Sequence, residues 1–472
     1  MTEIQSEKKI YQKSKKHSIS GGYVYKRIQD FKSVFRVHRT DNTPTAIKYI
    51  EGLFVCEKGQ GNMERMEEEI PESEYRLYQH FISNSKWDYK DLISRISLDV
   101  SEVLNTHQKQ TGKPVGYIVD ESSHLKKGKE SVGVSKQYAG VAGKVDNCQV
   151  AVYSSLVNDT KASIINERLF LPKSWTGSKA RCAKAKIPEE ERIYKTKPEL
   201  ALEMVAEDLK RGVKFDWVGG DGLYGHNTEF CKGLANLGQF YVLDVHKDEL
   251  IFTEMPEIYL PEKKSGKGRK PSRLKADKKA LRIDEYAGGL QLKDWETIKI
   301  RKTAKGWLKL NIHIARVWVW DGKEEQAREQ TLVISKTLNK KPKIKYSLSN
   351  GKDEDYTKKD YAYFQAQRYW VERTFDDCKN ELAMSDYQVR KWIAWHHHQS
   401  LVMLASVFLL KEKIDMQEEY PLMSVRDARI LVIVTMFGTQ EHYRKRIEQM
   451  KIRHRKRKKD IDRYYRFEQL IE

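Results

Sequence analysis

Val115-Gly116-Tyr117-Ile118-Val119-Asp120 is the stretch from which the fold is read. A short apolar run closed by an acid, directly after Lys113-Pro114, reads as a strand. Cys148-Gln149-Val150-Ala151-Val152-Tyr153 alternates, and Ser163 to Leu171, stopped by Pro172, gives a third strand candidate. Three strands in succession predict an antiparallel meander. Lys197 to Lys210 carries Leu200, Leu202, Val205 and Leu209 on one side, the spacing of a helix. Phe215-Asp216-Trp217-Val218-Gly219-Gly220 is strand-like and leads into Asp221; Thr228 to Gly238 reads as helix and Gln239 to Val245 as a further strand. Meander, helix, strand, helix, strand predicts an α/β domain with a mixed sheet.

Working outward, residues 1–30 form a basic, polar arm. From Phe31 to Leu104 the pattern is helical. Lys48 to Phe54 looks like a helix ending in a loop, Asn62 to Glu69 like a short charged helix. Pro71 to Ser83 sets Tyr75, Leu77, Tyr78 and Phe81 on one face, and Asp88 is placed to cap Tyr89 to Leu104. Several short helices in a basic chain fit a DNA-binding module, and equally a generic bundle. Beyond Val245, the basic Glu262 to Pro271 precedes strand-like runs at Thr297–Arg301, Leu308–Trp320 and Gln330–Ser335. Helical texture returns at Tyr361 and continues past Phe408, and the tail from Arg444 to Lys459 is dominated by Lys and Arg. The expected organisation is 1–105, basic arm and helical DNA-binding region; 106–245, first part of the α/β domain; 246–345, β-rich insertion; 346–412, its second part; 413–472, basic helical region.

Among 472 residues, 87 Lys and Arg against 67 Asp and Glu leave a formal charge of +20. That balance points to a polyanionic partner, nucleic acid before an anionic membrane face, because no basic amphipathic anchor stands out. The longest nearly unbroken apolar run, Leu401 to Leu410, is half of the ~20 residues a membrane span needs. MTEIQSEKKIYQKSKK at the start has no apolar stretch of the secretory kind. Five cysteines (Cys56, Cys148, Cys182, Cys231, Cys378) without CxxC spacing exclude a disulfide framework or zinc ribbon. They fit a reducing cytoplasm.

Three acids sit where phosphoryl-transfer chemistry needs them. Asp120 and Asp221 each close a strand candidate, and Glu372 lies inside a helix beside Trp370, Val371 and Phe375. Carboxylates from two strand ends and a helix can converge on two divalent cations, and Mg²⁺ prefers oxygen ligands. Each acid taken alone also reads as an ordinary turn or cap residue. Arg368, Glu372 and Lys379 fall near one helical face at ~100° per residue, either a phosphate-holding surface around a metal ligand or a solvated charge ladder. His124 and Lys126-Lys127 follow Asp120 as phosphate contacts or a solvated loop. His396-His397-His398, after Trp392 and Trp395, point to different faces, so a shared metal is not expected; they read as packing and DNA-proximal residues. Trp307, Trp318 and Trp320 are either strand packing or platforms for an unpaired base. Lys263 to Lys270 and the run from Arg453 through Arg455 to Lys459 read as phosphate contacts or solvated charge.

The chain resembles the bacterial insertion-sequence transposases of the Asp–Asp–Glu class. The matching stretches are YIVDESSHLKKGKESVGVSKQYAGVAGKVDNCQVAVY from Tyr117, LFLPKSWTGSKARC from Leu169, TKPELAL from Thr196, WVGGDGLYGHN from Trp217, FYVLDV from Phe240 and QRYWVERTFDDCKNELAMSDYQVRKWIAWHHHQSLVMLASVFLL from Gln367. The resemblance covers roughly residues 50–412. It implies a ribonuclease-H-like mixed sheet with flanking helices, a β-rich insertion and a helical N-terminal region. Asp120 corresponds to the first catalytic aspartate. Asp221, in a D-x-x-YG context with Tyr224 and Gly225, corresponds to the second, and Glu372, within R-x3-E-x6-K (Arg368, Glu372, Lys379), to the glutamate. A related group has a Tyr three positions before that Arg; this chain has Gln365. The resemblance implies two Mg²⁺ ions, with Mn²⁺ as a substitute, and cut-and-paste movement of DNA. It also implies double-stranded DNA as partner, pairing of the two element ends by a homodimer, and no membrane. Rival readings are a catalytically silent DNA-binding derivative and another nuclease on the same fold, such as a junction resolvase.

Overall fold

The computed structural model describes residues 23–70, 73–262, 271–303, 306–352, 355–437, 447–448, 451–452, 454–455, 458–459 and 461–466. Lys263 to Lys270 and Arg453 lie outside the described residues. The predicted meander is formed by β1 (Gly116–Leu125), β2 (Lys144–Asn158) and β3 (Lys161–Leu169), each antiparallel to the next. Two strands parallel to β1 follow, β4 (Trp217–Gly220) and β5 (Tyr241–Asp244). Their spatial order, β3-β2-β1-β4-β5, is that of a ribonuclease-H-like sheet.

β1 does not stop at Asp120. It continues to Leu125, so Asp120 lies in mid-strand rather than at a tip. Ser122, Ser123 and His124 hid this continuation because they are polar, yet all three are buried. His124 is neither on phosphate nor in a solvated loop: its ring nitrogens meet Ser385 Oγ at 2.9 Å and Tyr153 OH at 3.0 Å.

The insertion strands β6 (Glu296–Thr303), β7 (Gly306–Val319), β8 (Arg328–Thr337) and β9 (Ile344–Ser349) form a second antiparallel meander. β9 then pairs with β5, Ser347 opposite Asp244 and Leu348 opposite Leu243. The insertion therefore extends the central sheet, which among the described residues reaches ten strands with the short Ser135–Ala139 beside β2.

The helices that position the site are α1 (Thr43–Val55), α2 (Tyr75–Ser83), α3 (Tyr89–Thr111), α4 (Lys197–Arg211), α5 (Thr228–Asn236), α6 (Lys358–Gln367), α7 (Tyr369–Glu381) and α8 (Trp392–Asp415). Asp88 caps α3 as expected, its side chain accepting from Lys90 N at 2.8 Å, and the helix runs beyond Leu104 to the left-handed Gly112. The continuous helix expected from Tyr361 onward is instead three helices. It breaks at Arg368, and again after Glu381, where Ala383 takes a left-handed φ of 55°.

α8 is apolar on every side and buried from Ala394 to Leu410, the pattern of a helix enclosed by others. It packs on α1, α2, α3 and β3, so the N-terminal helices and the sheet share one core. Among the described residues no helix is long and apolar enough to cross a membrane. The three histidines of α8 are all buried, with separate partners. His396 Nδ1 meets Glu167 at 2.6 Å, His397 meets the carbonyls of Ile82 and Trp87, each at 2.9 Å, and His398 meets Tyr49 OH at 2.8 Å. They are packing residues.

Candidate active site

The site follows from strand register. β1 and β4 pair Gly116 with Trp217 and Ile118 with Gly219; continuing that step places Asp120 beside Asp221. β4 and β5 pair Val218 with Tyr241 and Gly220 with Leu243; the next step places Asp221 beside Asp244. Three aspartates thus form a row where β4 and β5 end, the carboxyl end of parallel strands at which α/β sheets present their sites. β4 stops because Asp221 turns into a short helix, Gly222–Gly225, with its Oδ1 accepting from Leu223 N at 2.9 Å. The D-x-x-YG context has a packing reason. Tyr224 is fully buried and donates to Glu121 Oε2 at 3.1 Å, and a Cβ on Gly225 would overlap the Asp244 carbonyl oxygen.

Glu372 comes from the first turn of α7, across the sheet. Arg368, at the break between α6 and α7, ties it to the row. Its Nη1 lies 2.8 Å from Glu372 Oε1 and 3.5 Å from Asp120 Oδ2, and its Nε lies 2.9 Å from Asp244 Oδ2. Arg368 is thus turned inward onto carboxylates. Asp244 is held on its other oxygen by Ser347 Oγ at 2.7 Å, and Ser347 accepts from Gln365 Nε2 at 2.7 Å. Gln365, standing where a related group has Tyr, is therefore part of the support beneath Arg368. Asp244 was not read as a site residue from sequence. The signal was there, since Tyr241–Asp244 repeats the apolar-run-then-acid pattern of Asp120 and Asp221.

Four carboxylates here share one guanidinium. Burial, then the Asp221 charge, pushes the Asp120 carboxyl well above the usual range, against the pull of Arg368. Asp221 is also raised, by burial and then by Glu121. For Arg368, burial works against the charged form, but Asp244, Asp120 and Glu372 outweigh it and raise its proton affinity.

The other sequence-predicted residues are dispersed. Lys379 shares the helix face of Arg368 and Glu372; burial lowers its ammonium from the usual lysine value. Lys126 is not a surface contact. Its Nζ donates to the carbonyls of Ser385 (3.2 Å) and Tyr387 (2.9 Å) and lies over the Tyr387 ring, and burial pushes it down to about 7. Lys127 is exposed. Trp307 opens β7 and stands 6.2 Å from the Tyr465 ring, away from the row. Trp320 donates to the Glu324 carbonyl at 2.7 Å, and Arg455 is exposed on the C-terminal segment.

The residue types fit a hard divalent cation: the donors are carboxylate oxygens, and the Asp221 charge disfavours ionisation of Asp120, a repulsion that a cation would offset. Among the described residues, no three His, Cys, Asp or Glu side chains are already gathered as a cage. Arg368 bridges Asp120 and Glu372 instead. Glu372 is exposed, so its pairing with Arg368 contributes only ~0–1 kcal/mol and can give way to a stronger ligand.

An RNase-H-like sheet with acids at the ends of its parallel strands defines a class of phosphoryl-transfer domains. The family described as DDE superfamily endonuclease matches residues 32–306, more than half of the chain, and the chain belongs to that family. Endonucleases of this superfamily generally use divalent metal ions. A probable transposase for insertion sequence element IS701 from Microchaete diplosiphon is 29% identical over 176 residues, 36% of this chain and 41% of that protein. The chain thus spans about two fifths of that curated relative's length. A cryo-EM structure of a piggyBac transposase synaptic complex with hairpin DNA aligns over 92% of this chain and 81% of that one, at 13% identity and a TM-score of 0.39. At that score the likeness adds nothing to the topology described above.

Proposed function

We propose that this chain is an insertion-sequence transposase that cuts DNA at the element ends and transfers the freed strand into target DNA. The observation that carries the reading is the register-aligned row of Asp120, Asp221 and Asp244, with Glu372 drawn to it by Arg368, in a DDE-family endonuclease. Asp120, Asp221 and Glu372 are assigned as ligands of two Mg²⁺ ions, with Mn²⁺ as an alternative. Bound there, the ions would activate the attacking oxygen and stabilise the leaving one in an in-line displacement. The chain's own residues orient that machinery. Arg368 stands between Glu372 and Asp120, and Asp244 with Ser347 fixes Arg368. Lys197 and Tyr224 hold Glu121 to one side, at 2.9 and 3.1 Å.

Lys379 and Lys127 are assigned to DNA phosphates beside the site, and Trp307 and Arg455 to contacts further along the duplex. Such backbone contacts supply affinity and position without reading sequence. The partners are the element's terminal inverted repeats and the target duplex, with two protomers pairing the two ends. The helical region within 1–105 reads the ends, and the protein acts at the nucleoid.

The test is cleavage of terminal-repeat DNA with Mg²⁺ by the full chain and by Asp120→Ala, Asp221→Ala and Glu372→Ala. Loss of cleavage in all three is expected; undiminished cleavage would overturn the assignment. Salt-dependent binding without Mg²⁺-dependent nicking would mark a silent derivative. Hydrolysis without joining of the cut 3′ end to a second duplex would mark a different nuclease.

A further inference from the structure

A second cavity lies on the far side of α7 from the carboxylates. At ~100° per residue, Trp370, Arg373, Thr374 and Asp377 face away from Arg368, Glu372 and Lys379, and all four line a cavity of about 300 Å³ closed by the turn into β3, β6 and the end of α8. Its charge is unbalanced. Among the described residues Lys161, Arg301, Lys302, Arg373 and Lys413 line it against one carboxylate, Asp377, which meets Arg373 at 2.9 Å and also attracts Lys413. Lys161 Nζ donates, among the described residues, to the Lys413 carbonyl alone, at 2.9 Å. Cations that outnumber the carboxylates beside them are costly to desolvate. Burial accordingly lowers Lys161 to about 8 and also lowers Lys413 and Arg301. A lining of this charge favours an anion.

The wall adds an aromatic edge. Arg301 lies 4.9 Å over the Trp370 ring and 5.6 Å over that of Tyr369, and the two rings meet edge-on at 5.1 Å. The Trp370 indole N–H is buried and has no acceptor among the described residues, while Tyr369 is exposed at the rim. Leu409, Leu410 and Met423 supply an apolar floor. Cations alone would suit inorganic phosphate. A cavity of this size with two aromatic rings, an apolar floor and a spare donor suits a larger planar ligand that carries a phosphate.

We propose that this cavity holds one nucleotide, its base against Trp370 and Tyr369 and its phosphate among Lys161, Arg301 and Lys413. The nucleotide is either an unpaired residue of bound DNA or a free mononucleotide. The site involves none of the residues assigned to metal, and its test runs in EDTA, so failure of the cleavage reading and failure of this one are separately visible.

The experiment titrates the full chain against three probes: dAMP, a duplex with one unpaired 2-aminopurine, and the same duplex fully paired. The expected result is quenching of the unpaired 2-aminopurine and binding about tenfold tighter than to the paired duplex, the scale of one stacked base. Lys413→Met and Trp370→Leu should abolish that preference. Tyr369→Ser, at an exposed position that leaves folding intact, should reduce it several-fold. If dAMP competes in the wild type and not in Lys413→Met, the free nucleotide is the source; if only the unpaired duplex binds, DNA is. Wild-type preference retained in Lys413→Met and Tyr369→Ser, or no discrimination among the probes by the wild type, overturns the proposal.

Discussion

Two acidic clusters lie on the same sheet, and they are built on opposite principles. Behind β3, the buried Glu167 and Asp208 and the neighbouring Glu207 meet Arg168, Arg211 and His396. Asp208 also accepts from Tyr117 OH at 2.8 Å and Asn166 Nδ2 at 3.0 Å. Burial raises the Asp208 carboxyl, and Asn166, Arg211 and Tyr117 oppose that rise. At the other end, Asp120, Asp221, Asp244 and Glu372 share Arg368, and for Asp120 a like charge adds to burial. A matched cluster is structural scaffolding. In the second cluster the carboxylates outnumber the one guanidinium they share, where strands end and a helix arrives, the setting in which perturbed acids mark candidate functional sites.

The contrast can be broken at either cluster. In the matched one, Asp208→Ala leaves two buried donors, on Tyr117 and Asn166, without their acceptor and takes one of Arg211's two carboxylates, and a loss of about 2–5 kcal/mol is expected in urea unfolding. In the short-charged one, Asp221→Asn should cost ~10²–10³-fold in Mg²⁺-dependent cleavage, several kcal/mol of transition-state stabilisation. Its thermal midpoint should not fall, because a repulsion is relieved; a drop as large as that of Asp208→Ala would erase the distinction. Divalent metal sharpens it: Mg²⁺ at a hundred times its dissociation constant should stabilise the wild type by ~2.7 kcal/mol in thermal melts, and Asp221→Asn far less. Asp244→Asn should lower cleavage about tenfold, ~1.4 kcal/mol, by loosening Arg368.

The smallest effect is with pH. Asp120 and Asp221 are both held above the ordinary aspartate value of 3.8, so folding takes up protons. Their contribution is fully present below 3.8 and is lost as pH rises through the raised values. In metal-free urea melts, Asp221→Asn should flatten that loss relative to wild type.

Much of this was legible in sequence because apolar runs announce strands. Val115 to Val119, Trp217 to Gly220 and the Lys197 helix all stand where periodicity put them. Asp120 and Asp221 were marked by the runs before them. What stayed hidden depends on partners distant in the chain. Ser122, Ser123 and His124 read as the end of a strand because nothing local shows that Tyr153 and Ser385 satisfy the histidine. Lys126 read as a phosphate contact because the carbonyls that bind it arrive some 260 positions later. Arg368 read as a surface residue because the break that turns it inward, between α6 and α7, falls within continuous helical texture. Asp244 was passed over although its context matches that of the other two, since its importance lies in what Arg368 and Ser347 do to it.

The seam between β5 and β9 has a mechanical consequence. Ser347 pairs with Asp244 through the backbone and also grips its carboxylate, so no slack separates the insertion from the innermost acids. A load that tilts the outer strands is delivered to Asp244 and onward through Arg368. The position of the added meander is thus mechanically tied to that of the Arg368 guanidinium.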